Sequence, residues 1–252
     1  AVVLIPQQLA RLYEVLQRDP YAKRVKYKPE SDHHIVVTGY VDFASLNLIL
    51  YETYHAARWP YLSGDVVVLS PAEPDKDTQT LLLHPSYLGK VQYLQGSPQN
   101  ESDLARACVE RAAGLFIVAN KFPANPNGED AQVASVIVAC KAFKNSHVRR
   151  SAGVRGGRGL KKGGVLRILA QVHSAETRDR ILHMPGWDAE QDVCLVINEL
   201  TSAIVTLASM YRGLATFAVN LVSHTTFNQS GHTEDWFSQY QMGSLHEIVH
   251  CN

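Results

Sequence analysis

No sign of charge dominates this chain. Lysine plus arginine number 24 and aspartate plus glutamate number 24, so no overall field draws it to nucleic acid or to an acidic lipid surface. Cysteine is sparse: the four are Cys108, Cys140, Cys194 and Cys251, with no Cys-x-x-Cys pair, and they read as reduced core thiols of a cytosolic protein rather than a disulfide framework. Long apolar runs are missing too. None reaches the roughly 18 residues that a membrane span needs, and no signal-peptide pattern is present. Glycine is absent where it would matter most. Residues 33–46 read HHIVVTGYVDFASL: a β-branched run, a turn, then Phe43, Leu46, Leu50 and Tyr54 at helical spacing. A dinucleotide fingerprint needs small residues at three places in such a turn, so that backbone can approach a pyrophosphate and the helix can pack close to the strand. Only Gly39 is there. Tyr40, Val41 and Asp42 stand where phosphate would lie, and Asp42, the expected helix N-cap, repels it.

What is present is an alternation of strands and helices in a chain of 252 residues with 46% hydrophobic content, enough for a sizeable core. Strand-like runs fall at 35–39, 65–70, 91–96, 114–120 and 166–172, with helical patterns at 42–57, 77–84, 101–111, 129–143 and 175–183. Unbroken runs such as DVVVL suit strands buried on both faces, so the pattern predicts an α/β fold, a Rossmann-like parallel sheet with covering helices. The second strand ends in Ser70-Pro71, where a nicotinamide-binding fold offers an acid to the ribose hydroxyls. A second part of the cofactor site is therefore lacking, and neither NAD nor ATP is expected to bind.

Residues 146–165 carry Arg149, Arg150, Arg155, Arg158, Lys161 and Lys162 among abundant glycine, and read as a disordered basic insertion. No aromatic side chains are interleaved for base stacking, so no nucleic-acid partner is expected. From Val193 to Val222 the chain is apolar almost all round, with Arg212-Gly213 marking a turn between two helices. A pair this apolar must bury nearly its whole surface. It is either a core hairpin or a face that packs on another domain; the second reading is favoured because the preceding sheet already has its own helices. The opening AVVLIP reads either as the cut end of a longer helix or as a first buried strand.

His246-Glu247-Ile248-Val249-His250 fits the HExxH pattern, in which two histidines on a helix share a zinc ion and the glutamate serves as base. The pattern fixes only three residues, and Ile248-Val249 suits a strand as well as a helix. The competing function class is thus an enzyme, either a zinc hydrolase using His246, Glu247 and His250 or a divergent nicotinamide oxidoreductase.

Several segments together resemble one family, the regulator-of-potassium-conductance (RCK) domains of the Slo potassium channels, both the calcium-activated BK type and the sodium-activated Slack type. They are HHIVVTG, VVVLSPAEPD, VQYLQGSPQNESDLARA, FIVANKF with the following NPNGEDA, the apolar helix pair, and EDWFSQYQMGSLHE. VVLIPQQLARL is similar to the cytosolic end of the pore-lining helix and its linker. The resemblance implies a pore-helix end and linker over 1–28, a Rossmann-like subdomain over 33–192, a helix-turn-helix docking pair over 193–223, and the start of a small C-terminal subdomain over 224–252 that continues past Asn252. It further implies a second RCK domain of the same chain docked on the pair at Leu207, Tyr211, Leu214 and Phe217, a homotetrameric gating ring, and a transmembrane pore domain to which this cytosolic domain belongs. For ion sensing, Glu247 falls where the BK type carries a calcium-binding glutamate. Its partner aspartate aligns with Ser63, and Asp65 lies two residues on, on the same face of the strand but displaced by about 7 Å. His224 and Thr225 replace residues whose backbone helps hold the ion. The resemblance therefore implies calcium at Glu247 and Asp65, with sodium as the alternative.

Overall fold

The computed structural model of the chain describes residues 26–29, 34–55, 64–154 and 166–222. Six strands, β1 (Ile35–Gly39), β2 (Val66–Ser70), β3 (Val91–Gln95), β4 (Gly114–Val118), β5 (Arg167–Val172) and β6 (Val193–Val196), form one sheet in the order β3-β2-β1-β4-β5-β6. Every pairing is parallel. The helices are α1 (Phe43–Thr53), α2 (Lys76–Leu82), α3 (Glu101–Arg106), α4 (Pro126–Val154), α5 (Ala175–Leu182), α6 (Ile197–Met210) and α7 (Leu214–Val222), with a 3-10 turn at Val109–Arg111. This is the expected Rossmann-like sheet with covering helices.

The β-branched runs work because both faces are covered. All five residues of β2 are buried, and alternate residues along the central strands enter two separate cores. Val36, Val67, Leu69, Leu115 and Ile117 pack with Val133, Ile137 and Phe143 of α4 and with Leu104 of α3. Ile35, Val37, Val66, Val68 and Tyr93 pack with Leu46 and Leu50 of α1 and Leu82 of α2. Each fully buried leucine contributes about 1.5–3 kcal/mol relative to exposure. Helix starts are set locally: the side chains of Asp42, Asp75, Asn100 and Ser174 each accept a hydrogen bond from a backbone N–H of the first turn that follows, as capping residues do.

Three elements differ from the sequence reading. Val193–Val196, placed in the apolar helix pair, is the sixth strand; it pairs with the open edge of β5, Leu169 opposite Val193, and an apolar run of four fits a strand as well as a helix. The expected helix over 101–111 is broken. Cys108 has φ +51, so α3 ends at Arg106 and a 3-10 turn follows. The helix expected at 129–143 runs from Pro126 to Val154, so 146–154, taken as the start of a disordered insertion, continues α4; residues 155–165 lie outside the described ones. Two buried carboxylates lock the last strands to α4. Asp130 accepts from His173 N (2.8 Å) and Ser174 N (3.0 Å), and Asp192 accepts from Ile168 N and Asp188 N (2.9 Å each) and from the Lys141 ammonium.

Candidate functional site

In an open parallel sheet a ligand site forms beyond the carboxyl ends of the strands, where the strand order reverses. Here that point lies between β1 and β4, and a cleft of about 520 Å³ opens there. Its wall is built from the turns after β1 (Gly39 to Asp42), β2 (Ser70 to Asp75) and β3 (Ser97 to Gln99), and from Glu129, Gln132, Val133 and Val136 of α4. Gly39 is present for packing. It has φ +97, and a Cβ there would lie 2.2 Å from the Val118 carbonyl oxygen, while Tyr40 N donates to that same oxygen at 2.8 Å. The glycine thus lets β1 close against β4.

The charge of the cleft is one-sided. Asp42, Glu73, Asp75 and Glu129 line it, and among the described residues no lysine, arginine or histidine does. Asp42 Oδ1 accepts from Ser45 N at 2.9 Å. Bonds from the Ser45 hydroxyl and N–H, helped by Lys121, hold the Asp42 carboxyl below the usual carboxylate range. Thr78 does the same for Asp75, against the opposing charge of Asp42. The cleft is therefore anionic at neutral pH and repels a pyrophosphate. Ser70 is buried at the end of β2 where an acid would hold ribose. The carboxylates of Glu73, Asp75 and Glu129 were not singled out from sequence, because only the fold brings them to one cleft.

Asp65 lies at the other end of the sheet, just before β2. Its Oδ2 accepts from the Tyr27 phenol at 2.8 Å, and its carbonyl accepts from Ile35 N at 2.9 Å. Nearby, the Tyr54 hydroxyl donates to Gly64 O and Lys90 O, at 3.3 and 3.0 Å, and burial followed by the Asp65 charge pushes the Tyr54 phenol up. Ser63, His224, Thr225, His246, Glu247 and His250 lie outside the described residues. Among the described residues no group of three or more histidine, cysteine, aspartate or glutamate side chains is placed to hold a metal ion; of the two calcium ligands that the resemblance implies, Asp65 is the one within the described residues, and its carboxylate is a hard oxygen donor of the kind calcium takes. The described thiols are kept protonated by burial, Cys140 pushed up to about 12 and Cys194 to about 11, so neither is a reactive nucleophile.

The helix pair is the third feature. α6 and α7 turn on Gly213, φ +85, as the Arg212-Gly213 signal predicts. No residue of α6 is buried. Leu207 is 45% exposed, Tyr211 59% and Phe217 62%, with Leu214 partly buried. Leu200, Val205, Met210 and Val219 are exposed beside them. Of the two readings of this stretch, the core hairpin is not what the structure shows. The pair leaves the sheet and offers its apolar surface outward.

The model of the calcium-activated potassium channel slowpoke-like RCK domain matches residues 30–155, and that of the calcium-activated BK potassium channel alpha subunit matches 192–252. The chain belongs to the Slo-like RCK domain family. It is 24% identical over 225 residues to the calcium-activated potassium channel slo-1 of Caenorhabditis elegans, which covers 88% of this chain and 18% of that protein. The chain thus spans under a fifth of that relative's length. Its fold is similar to that of part of the human SLO3 gating ring, with TM-score 0.56 and 18% identity over 84% of this chain and 32% of the other. A fainter likeness, TM-score 0.43 and 13% identity over 87% of this chain and 51% of the other, is to GsuK bound to ADP; it is too distant for that ligand to bear on the cleft. Slo-like RCK domains are channel regulatory modules, and neither the zinc-hydrolase nor the oxidoreductase reading gains from this membership. Among the described residues no helix is long and apolar enough to cross a membrane.

Proposed function

We propose that this chain is a cytosolic gating-ring domain of a ligand-gated potassium channel, calcium-activated in the first instance, in which ion binding rearranges domains and pulls on the segment before Tyr27 to open a pore. The observation that carries this is the helix pair: a sheet already covered on both faces is followed by two helices whose large apolar side chains remain outside, which is the condition of a surface made to receive another domain. Leu207, Tyr211, Leu214 and Phe217 are the docking residues, a second RCK domain of the same chain is the occupant, and four such chains form the ring below a transmembrane pore. Family membership supports this reading. Asp65 and Glu247 are the proposed calcium ligands, with sodium as the alternative ion. Calcium would supply a divalent charge that draws two carboxylates together. It moves the closed-to-open equilibrium only as far as it prefers the open geometry.

A ligand that binds only the folded state raises the melting temperature as its concentration passes the dissociation constant. Melting curves in calcium, magnesium, sodium and chelator therefore test the ion. A calcium-specific rise that Glu247→Gln abolishes is expected. A sodium-specific rise transfers the assignment to the Slack type, and four identical curves remove ion sensing from this domain.

A further inference from the structure

Tyr27 ties the segment before β1 into the core. Its side chain is buried, and its ring meets His34 at a tilt with centroids 4.8 Å apart. Three hydrogen bonds hold it. Its N–H donates to the Arg106 carbonyl at the end of α3, at 2.9 Å. Its carbonyl accepts from the Cys108 thiol, at 3.3 Å. Its phenol donates to Asp65 Oδ2, at 2.8 Å. Cys108 reaches Tyr27 from a left-handed backbone, φ +51, a conformation that a side-chain-bearing residue holds only where its surroundings impose it.

The partners belong to two different elements. Arg106 and Cys108 flank the end of α3, and Asp65 precedes β2. The opposite ends of both elements reach the cleft: β2 ends at Ser70, α3 follows Ser97 to Gln99, and all of these line it. The Arg106 guanidinium also donates to Gln95 O at the end of β3, at 3.0 Å. Tyr27 therefore bridges the far ends of β2 and α3, which meet the cleft through Ser70 and through the turn Ser97 to Gln99 before α3.

We propose that Tyr27 is the clamp through which the segment before it is coupled to this domain, and that its phenol bond to Asp65 registers the position of β2 against α3. The proposal rests on the channel reading above, in which that segment leads to the pore. It adds where the pull enters: at the end of α3 and the start of β2, rather than through β1. Tyr27 is a positioning residue: its phenol holds the carboxylate of Asp65, a proposed calcium ligand, and is itself no ligand of the ion. Because coupling is reciprocal, any ligand that shifts β2 against α3 changes the clamp, and tension on the segment changes the affinity for that ligand.

Tyr27→Phe deletes the phenol and keeps the ring, the N–H and the carbonyl. Hydrogen exchange on the chain itself decides the clamp: the substitution lowers protection of the amides of Lys26, Tyr27 and Lys28, and unchanged protection overturns it. Potassium currents of the full-length protein in membrane patches, recorded from chelator to saturating calcium, decide the coupling. A loosened clamp transmits less pull, so the half-activating calcium concentration rises roughly fivefold or more with unit conductance unchanged. A tyrosine of merely structural value lowers the melting temperature and leaves that concentration in place, which overturns the coupling. Cys108→Ala removes a different tie and leaves Tyr27 and the Asp65 carboxylate intact, so it separates the clamp from a direct effect on that proposed ligand: it moves activation in the same direction, and an unchanged half-activating concentration overturns the coupling. Absence of potassium current from the unsubstituted protein overturns the channel reading and the coupling together, while the exchange result still decides the attachment.

Discussion

At the scale of single residues, two positions carry most of the argument. Gly39 has φ +97 and no room for a Cβ against the Val118 carbonyl, so Gly39→Ala combines a left-handed strain with a backbone clash. It lowers stability by about 2 kcal/mol or more, read as a fall in the urea midpoint at constant m. His34 is fully buried. Its Nε2 bonds Ala107 O at 3.1 Å; a carbonyl only accepts, so Nε2 carries the proton and Nδ1 is bare, without a partner among the described residues. Burial, opposed by the Ala107 bond and by Glu110, lowers its pKa from 6.5. Below that value the unfolded chain binds more protons than the folded one at this site. The stabilising share of neutral His34 is thus complete above pH 6.5 and is lost as pH falls toward the depressed folded value. His34→Gln, which can still donate to Ala107, should flatten the fall of melting temperature on that acid side; an unchanged profile would show that other groups set it.

At the scale of elements, the helix pair makes the sharpest prediction. In a core hairpin a charge at Leu207 or Phe217 unfolds the domain; on a docking face it breaks a complex instead. With 45% and 62% of these residues exposed, the first outcome falls away. Phe217→Asp should change the stability of the isolated chain by no more than about 0.5 kcal/mol while abolishing association with a second RCK domain, measured by melting and by sedimentation of the mixture. A large loss of stability would mean that Phe217 is core. β6 belongs to this scale too. It adds a sixth strand ahead of α6, and Asp192, just before it, fastens β5, β6 and α4 together, so the pair springs from a braced edge of the sheet.

At the scale of the whole molecule, the Rossmann-like layout survives with its ligand end rebuilt. The cleft persists at the switch point between β1 and β4, yet carboxylates line it and Val41 stands in place of a fingerprint glycine. Calorimetric titration with NAD and with ATP should therefore be flat at micromolar concentrations, because each brings polyphosphate to an anionic wall with no cation among the described residues of its lining. Clear binding of either would show that the turn from Gly39 to Asp42 rearranges to admit phosphate.

The residue pattern alone determined the strands β1 to β5, the cap at Asp42 and the turn at Gly213, because β-branched runs, capping side chains and glycines act on backbone within a few residues of themselves. Only the tertiary structure decided that Val193–Val196 is a strand, since the deciding partner is the edge of β5 and not a neighbour in sequence. The same holds for the site. Tyr27 meets Asp65 across 38 positions and Cys108 across 81, and the acids of the cleft come from two turns and a helix. Nothing local marks such residues: a tyrosine in a polar stretch reads as surface until the fold buries it. The helix pair shows the converse. Its apolar composition was plain in the sequence, but whether it faces the chain's own core or a partner depends on how much of the sheet other helices already cover, and that is settled only when the layers are assembled.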